Sequence, residues 1–316
     1  MRIDMGVKMR GVVEELLVAG QPAYSLRNVH GDQVVVLQQG GQVLSWMTAD
    51  GVERLYQSPI MPQAAGQAVR GGVPVIFPQF NQRGPDFSLP RHGFARQLPW
   101  EPGPAVALPV ALPVSVGVPS VGQPDHGEGA NAATLSLQLQ DSEATRQHWP
   151  FAFLLTLDIR LSPGELVLAL QVENRSEAPM AFTAALHTYL AVPDLLAARL
   201  HGLEGLRRLD TLKDEPGIAG SDPLSFDGPI DDIYFDLTAP LCLESGLGRL
   251  RIGMSGGFTD TVVWNPGEAG ASKLVDLPTE DWRQMLCVEA ARIGTPAHVA
   301  PGDQWQAVQH FSVISG

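Results

Sequence analysis

The strongest constraint on the fold is a two-residue alternation of apolar and polar side chains over residues 135–172. The apolar members are Leu135, Leu137 and Leu139, then Leu155, Leu157, Ile159 and Leu161, and, after a Ser-Pro-Gly-Glu turn at 162–165, Leu166, Leu168, Leu170 and Val172. Successive side chains of a strand point to opposite faces of a sheet. The pattern therefore predicts a β-hairpin with one buried face.

Further strands are predicted at both ends of the chain. Residues 34–44 suggest a second hairpin around Gly40 and Gly41, and Trp305 to Ile314 a closing strand, whereas the best helix is a short one near Asp141 to His148. With 33 glycines and 26 prolines separating short strands, the chain is predicted to be an all-β sandwich or barrel. Because neither an internal repeat nor a linker is visible, we expect residues 1–316 to form one domain.

One segment departs from this pattern. Residues 101–131 contain six prolines and no charged side chain between Pro102 and Pro124, which is incompatible with a regular central strand. We interpret the segment as a Pro/Val/Ala-rich insertion. It could be partly extended over apolar surface or in an oligomer contact, or it could be disordered.

Charge and cysteine content narrow the functional classes. The net charge of −13 argues against nucleic acid, whose binding needs a basic face, and against an anionic membrane surface. We expect no signal peptide, and the sequence contains no apolar run long enough to span a membrane. Cys242 and Cys287 form no disulfide framework, and Cys287 is predicted to be buried. A cytoplasmic location is expected.

A local excess of positive charge stands out in this acidic chain. Between residues 70 and 96 there are four arginines, Arg70, Arg83, Arg91 and Arg96, but only one acid, Asp86. Guanidinium groups bind phosphate or carboxylate through paired hydrogen bonds. The cluster could be an anion site or simply a solvated loop, and its glycines lack the Lys-Ser/Thr of a nucleotide-binding P-loop.

Three further residues are candidates for chemistry. His92 lies between Arg91 and Arg96, and His187 follows the apolar run 184–186. Glu289 interrupts an apolar run, where a carboxylate is costly to bury unless it is paired or functional. Desolvation would raise its pKa toward the range of a general base. Each residue taken alone could equally have a structural role.

Five stretches together resemble the aldose 1-epimerase superfamily, and within it the glucose-6-phosphate 1-epimerase branch. They are RGGVPVIFPQF at 70–80, LPRHGFARQLPW at 89–100, LHTYLAVPD at 186–194, IDDIY at 230–234 and VVWNPGEAGASKLVDLPTEDWRQMLCVEAARI at 262–293. They follow the family's order and cover most of the chain. The resemblance implies a galactose-mutarotase-like antiparallel β-sandwich with the sugar in an open cleft on one sheet.

The resemblance also implies roles for individual residues. His187 would be the general acid and Glu289 the general base, while the substrate-binding set would be Arg70, Arg91, His92, Arg96 and Asp231. Arg70 and Arg96 fall at phosphate-gripping positions. Three positions depart from the family pattern: Arg91 is often Gln, Asn81 is often Gly, and Asp232 stands where Arg is common. The last leaves open whether Asp231 or Asp232 contacts substrate.

The implied reaction interconverts the α and β anomers of glucose 6-phosphate or a related hexose 6-phosphate by opening and closing the ring. It requires a protonated His187 and an ionised Glu289, a state that their proximity favours, and no cofactor. His92, His187 and Glu289 could form a metal site, but they lack a short-spaced ligand motif, so no metal is expected. We expect a monomer or weak dimer. The alternatives are an epimerase of unphosphorylated aldoses, a non-catalytic carbohydrate-binding sandwich, and a metal-dependent enzyme.

Overall fold

The computed structural model describes residues 12–62, 66–82, 89–104, 132–220 and 223–314. Neither of the α-helices in these ranges has the length or the unbroken apolar character of a membrane-spanning segment. Arg83, Asp86 and most of the predicted insertion, residues 105–131, lie outside the described residues.

Antiparallel strands make up about half of the described residues and are the main secondary structure there. The first seven are β1 (Val12–Val18), β2 (Gln21–Arg27), β3 (Gln33–Leu37), β4 (Val43–Met47), β5 (Val75–Ile76), β6 (Glu101–Pro102) and β7 (Ala133–Gln140). The next seven are β8 (Phe153–Ser162), β9 (Glu165–Asn174), β10 (Met180–Leu186), β11 (Tyr189–Ala191), β12 (Arg199–His201), β13 (Arg207–Asp210) and β14 (Glu215–Ile218). The last seven are β15 (Leu224–Ser225), β16 (Ile230–Tyr234), β17 (Leu241–Ser245), β18 (Gly248–Gly256), β19 (Asp260–Asn265), β20 (Met285–Val299) and β21 (Gln304–Ile314).

Helices are few and short in the described ranges. The α-helices are α1 (Glu143–His148) and α2 (Gly267–Ala271), and the 3-10 helices span Ala95–Gln97, Leu195–Ala197 and Thr279–Gln284. Ser142 caps the N-terminus of α1: its side chain accepts a hydrogen bond from the Thr145 backbone, and the Thr145 side chain accepts one from the Ser142 backbone. This reciprocal capping box explains why the best of the predicted helices begins where it does.

The strands form three sheets. A four-stranded sheet has the order β1-β2-β3-β4, and a nine-stranded sheet the order β15-β12-β17-β18-β21-β9-β8-β7-β6. An eight-stranded sheet has the order β14-β13-β16-β19-β20-β10-β5, with β11 also paired to β20. The two larger sheets share one apolar core, which confirms the predicted all-β sandwich.

The predicted alternation determines how this core is filled. Leu157, Leu168 and Phe311 of the nine-stranded sheet are fully or almost fully buried against Leu186 and Val288 of the eight-stranded sheet. Both predicted hairpins and the closing strand are confirmed, as is burial of Cys287. The start of the predicted insertion is β6, a two-residue strand at the edge of its sheet, where proline is tolerated.

Candidate active site

Strand register brings His187 and Glu289 side by side. Leu186 pairs with Ala290 and Tyr189 pairs with Cys287, so His187 lies opposite Glu289 where β10 passes into β11. The Nε2 atom of His187 is 3.4 Å from Oε1 of Glu289. Side chains one residue away, such as Leu186, point into the core, so alternation directs this pair to the opposite, outer face of the sheet.

Both members of the pair are buried and incompletely hydrogen-bonded. His187 is 8% exposed and Glu289 only 1%. Among the described residues, neither Nδ1 of His187 nor Oε2 of Glu289 has a hydrogen-bond partner. Buried polar atoms are nearly always paired, so two unpaired atoms on adjacent side chains suit a polar ligand that supplies the missing bonds.

Burial also sets the resting charge state of the pair. It raises the pKa of Glu289 well above its ordinary value, and the negative charge of Asp231 adds to this rise. Burial lowers the pKa of His187, as do His92, Arg96 and Arg70. The free cavity therefore favours a protonated Glu289 and a neutral His187, because a buried ion pair must overcome the desolvation of both charges. The implied reaction requires the opposite arrangement, an imidazolium beside a carboxylate, so a ligand would have to move the proton from Glu289 to His187.

His92 reaches the same cavity from a tight turn. Its backbone has φ of 67° and that of Gly93 has φ of 66°, a left-handed conformation that is uncommon for residues other than glycine. Nδ1 of His92 accepts a hydrogen bond from the Asn81 backbone at 3.2 Å, and its ring lies 5.6 Å from that of His187. Burial, together with the charges of the nearby arginines, lowers the pKa of His92 to about 3. His92 is therefore a neutral side chain whose Nε2–H can donate to a ligand.

Three of the four clustered arginines line the cavity, and they differ in how they are held. Arg70 donates through Nε to Asp276 at 2.8 Å and through Nη1 to the Tyr189 hydroxyl at 3.1 Å. Arg96 donates through Nη2 to the Arg91 carbonyl at 3.1 Å, but its buried Nε has no partner within the described residues. Arg91 itself is exposed at the rim. Asp276 offsets part of the charge of Arg70, so most of the uncompensated positive charge that favours an anionic ligand comes from Arg91 and Arg96.

The sequence left open whether Asp231 or Asp232 contacts the substrate, and the structure places these two side chains on opposite faces of β16. Asp231 pairs in register with Trp264, and both line the cavity that contains His187. Asp232 lies on the opposite face, where its carboxylate forms a salt bridge with Nε of Arg208 at 2.7 Å and accepts a hydrogen bond from the Tyr234 hydroxyl. Of the two, only Asp231 is placed to meet a ligand in the cavity.

The cavity has a volume of about 170 Å³ and contains every sequence-predicted site residue. Its predicted members are Arg70, Arg91, His92, Arg96, His187, Asp231 and Glu289, and its other lining residues are Phe80, Asn81, Tyr189, Thr211, Val262, Trp264 and Leu274. Among the residues that the structure describes, no group of three or more His, Cys, Asp or Glu side chains is arranged to hold a metal ion. The walls of this cavity combine aromatic rings, the adjacent His187 and Glu289 side chains, and guanidinium groups.

Comparison with known proteins identifies the family of this chain. The model of the aldose 1-epimerase family matches residues 22–312. The chain belongs to the aldose 1-epimerase family. It is 31% identical over 280 residues to a protein of Cenchrus ciliaris named "putative glucose-6-phosphate 1-epimerase", covering 87% of this chain and 79% of that protein.

Solved structures place this aldose 1-epimerase family member among the mutarotase folds. The crystal structure of a "putative mutarotase (YeaD)" from Salmonella typhimurium has a TM-score of 0.80 at 25% identity, covering 95% of this chain and 93% of that one. A "galactose mutarotase-like protein" from Clostridium acetobutylicum has a TM-score of 0.69 at 14% identity, covering 97% and 99%. The galactose-mutarotase-like sandwich expected from the resemblance is therefore confirmed.

Sequence reasoning gave no site role to several polar or aromatic side chains that line the cavity of this family member, among them Tyr189, Trp264 and Thr211. Tyr189 lies two residues after His187, so period two alone could have placed it on the same face. Trp264 and Thr211 carried no such signal, because their position depends on pairing between strands distant in the sequence. Asp276, the partner of Arg70, lies in the segment after α2 and was equally hidden.

A second and larger cavity, of about 270 Å³, lies behind β16 in this family member. Arg208, Asp210, Asp232 and Tyr234 line it. Their charged groups satisfy one another: Arg208 contacts both carboxylates, at 3.1 Å for Asp210 and 2.7 Å for Asp232. Because these groups already have partners, the smaller cavity, with its unpaired buried atoms, is the better candidate active site.

Proposed function

We propose that this protein interconverts the α and β anomers of a hexose 6-phosphate, with D-glucose 6-phosphate as the expected substrate. One observation carries the proposal: the His187–Glu289 pair, 3.4 Å apart, lies in the same small cavity as Arg70, Arg91 and Arg96. The pair suits proton transfer to and from a sugar ring, and the arginines suit a phosphate. Free thiols at Cys242 and Cys287 support a reducing, cytoplasmic location.

In the proposed cycle, Glu289 and His187 have opposite roles: one accepts a proton from the sugar while the other donates one to it. The carboxylate of Glu289 takes the proton of the anomeric hydroxyl while protonated His187 donates to the ring oxygen. The bond between C1 and the ring oxygen then breaks, and C1 becomes an aldehyde carbon. Rotation about the C1–C2 bond presents the other carbonyl face. Glu289 then donates its proton to the aldehyde oxygen while His187 takes the proton back from the C5 hydroxyl, and the bond between that oxygen and C1 forms again.

Substrate binding must first move the resting proton from Glu289 to His187. The pair carries one proton in either arrangement, so the step changes no net charge. Hydrogen bonds from sugar hydroxyls to the unpaired Oε2 of Glu289 would stabilise the carboxylate and lower its pKa. The remaining cavity groups then have positioning tasks: His92 donates to the ring oxygen or a neighbouring hydroxyl, and Asp231 accepts from hydroxyls.

The test is anomer-exchange NMR on glucose 6-phosphate and on glucose, with the native chain, His187→Ala and Glu289→Gln. Each substitution removes one positioned proton transfer, so we expect each to lose about 10²–10⁴-fold in rate. Asp232→Asn is the matched control, because Asp232 is on the far face of β16 and should leave the rate within a few-fold of native.

Three outcomes would contradict the proposal. Near-native turnover by either cavity variant would remove that residue from the mechanism. Equal turnover of glucose and glucose 6-phosphate would leave the arginines without a role and favour an epimerase of unphosphorylated aldoses. Binding of glucose 6-phosphate without any acceleration of exchange would favour a non-catalytic carbohydrate-binding protein.

A further inference from the structure

Arg70 is held in one orientation by two partners on different parts of the chain. Its Nε donates to Asp276 at 2.8 Å and its Nη1 to the hydroxyl of Tyr189 at 3.1 Å. Its guanidinium carbon also lies 6.0 Å from the centre of the Trp264 ring. Two of its three nitrogens are thus engaged, which leaves Nη2 as the nitrogen most available to a ligand.

The same tyrosine contacts the proposed acid. The rings of Tyr189 and His187 are stacked, with centroids 4.8 Å apart and planes inclined by only 10°. Tyr189 is 4% exposed, and its backbone is fixed by pairing with Cys287 on β20. A buried ring on a paired strand has little freedom to move, so the imidazole packed against it is restricted as well.

Tyr189 therefore joins the anion-binding and proton-transfer parts of the cavity through two chemically distinct ends. We propose that Tyr189 is a positioning residue, its hydroxyl orienting Arg70 toward the phosphate and its ring orienting His187 toward the sugar ring. This inference rests on the proposed function and deepens it. Placement of substrate-binding and catalytic groups to within a fraction of an ångström strongly affects rate.

The two ends make separable predictions. Tyr189→Phe keeps the stacked ring but removes the acceptor for Arg70, so we expect KM for glucose 6-phosphate to rise about five- to tenfold with kcat little changed. Turnover of glucose, which has no phosphate, should not respond. Tyr189→Leu removes the ring, so we expect kcat to fall at least about tenfold on both sugars because His187 loses its packing surface.

Tyr56→Phe is the matched control. Its hydroxyl donates to Asp281 at 2.6 Å, so the substitution also deletes one partly buried hydrogen bond that ties down the segment before β20. Tyr56 is not among the residues that line the cavity. A purely structural effect of losing such a bond would lower the thermal midpoint of both phenylalanine variants alike, without the phosphate-specific rise in KM.

An unchanged KM for glucose 6-phosphate in Tyr189→Phe would overturn the proposed role of the hydroxyl. An unchanged kcat in Tyr189→Leu would overturn the proposed role of the ring. If Tyr189→Leu does not fold, Tyr189→Phe still decides the hydroxyl, and Tyr189→Trp, which retains a stacking ring, should preserve kcat more than tenfold better than Tyr189→Ala. If the native chain turns over neither sugar, the proposed function fails independently. In that case, calorimetry with inorganic phosphate tests the orientation of Arg70. Tyr189→Phe should still bind phosphate more weakly than the native chain does, and equal phosphate affinities of the two proteins would overturn the proposed role of the Tyr189 hydroxyl.

Discussion

Glu289 shows how the chemistry of a single residue opposes stability. Its carboxyl group is 1% exposed and has one oxygen without a partner among the described residues. In the unfolded chain the same group is hydrated and ionised at neutral pH. Because burial raises the pKa of Glu289 in the folded state, folding at neutral pH must either bury a charge or take up a proton, and either event costs free energy.

Replacing this carboxyl group should therefore stabilise the protein. Glutamine has nearly the same shape as glutamate but no ionisable group. We expect Glu289→Gln to unfold at a temperature a few degrees higher at pH 7, because each kcal/mol added to the free energy of unfolding raises that temperature by about 2 °C in a chain of this size. The sign follows from the raised pKa. The fold favours the neutral form of the carboxyl group, so the free energy of unfolding of the native chain decreases as pH rises from the ordinary glutamate value through the pKa in the folded state. Thermal denaturation of both proteins across pH measures the difference.

The pH dependence separates this effect from ordinary repacking. Below the ordinary glutamate value of 4.5, the group is protonated in folded and unfolded chains, so the advantage of Glu289→Gln should disappear there. Glu177→Gln, a change of the same type at an exposed position, should leave the unfolding temperature nearly unchanged. A variant that is less stable than the native chain at pH 7 would refute the argument.

At the scale of elements, the site depends on close contact between the turn that carries His92 and the segment after β5. The Phe94 backbone donates to the Phe77 carbonyl at 3.0 Å. A Cβ atom at Gly93 would lie 2.1 Å from that same carbonyl oxygen, and the φ of Gly93 is 66°. Glycine is required here both for conformation and for space.

Gly93→Ala should therefore displace the turn and the side chains that it presents. We expect a loss of at least about tenfold in kcat/KM for glucose 6-phosphate, because His92 and Arg96 shift together relative to His187. Anomer-exchange kinetics would measure it. Gly164→Ala is the control: its φ of 65° imposes the same backbone strain, but the nearest atom to its Cβ would be 3.8 Å away. Equal losses in the two variants would show that close packing at Gly93 is unimportant.

The elements also show where sequence reasoning succeeds and stops. The hairpin of β8 and β9 follows from alternation and a four-residue turn, because both signals are local. The pairing of β16 with β19, and of β19 with β20, joins residues that are 23 to 35 positions apart in the sequence. This pairing alone decides that Asp231 rather than Asp232 faces the cavity. Register is set by burial across the whole sheet, which no local pattern reveals.

The proposed site residues carried a different kind of signal. His187, Glu289 and the three arginines were conspicuous through residue chemistry and motif order, and the structure brings them to one cavity. The protonation states of His187 and Glu289 could not be predicted from the sequence in the same way. It depends on how completely both groups of the pair are buried, which proximity in a motif cannot express.

At the scale of the whole molecule, an acidic protein presents a small basic cavity. The net charge is −13, yet Arg70, Arg91 and Arg96 converge on a single volume of about 170 Å³. The overall field disfavours anions at a distance, so selective binding must come from short-range contacts with these guanidinium groups. Arg96 is the sharpest example, because its buried Nε has no partner in the described chain.

Phosphorylated sugar should consequently stabilise the fold more than neutral sugar. Glucose 6-phosphate at about 100 times its Kd should add about 2.7 kcal/mol and raise the unfolding temperature by about 5 °C. Glucose at the same concentration should raise it much less. Thermal denaturation with chloride added to match ionic strength provides the measurement.

Arg96→Gln tests the origin of this stabilisation. It removes a charge from the cavity and should abolish most of the shift that glucose 6-phosphate produces. Arg207→Gln is the control, because Arg207 pairs with Asp236 on the exposed surface, where such pairs contribute little. A shift of equal size in Arg96→Gln and in the native chain would refute direct binding of the phosphate by Arg96.

The alternation along β16, β19 and β20 has a consequence for how such a protein can evolve. Val263 and Val288 fill the core, while their neighbours Val262, Trp264 and Glu289 line the cavity. Mutations that alter recognition and mutations that alter packing therefore fall on interleaved, largely separate sets of positions. Substrate preference can drift along these strands by single substitutions while the interior that holds the two sheets together is conserved.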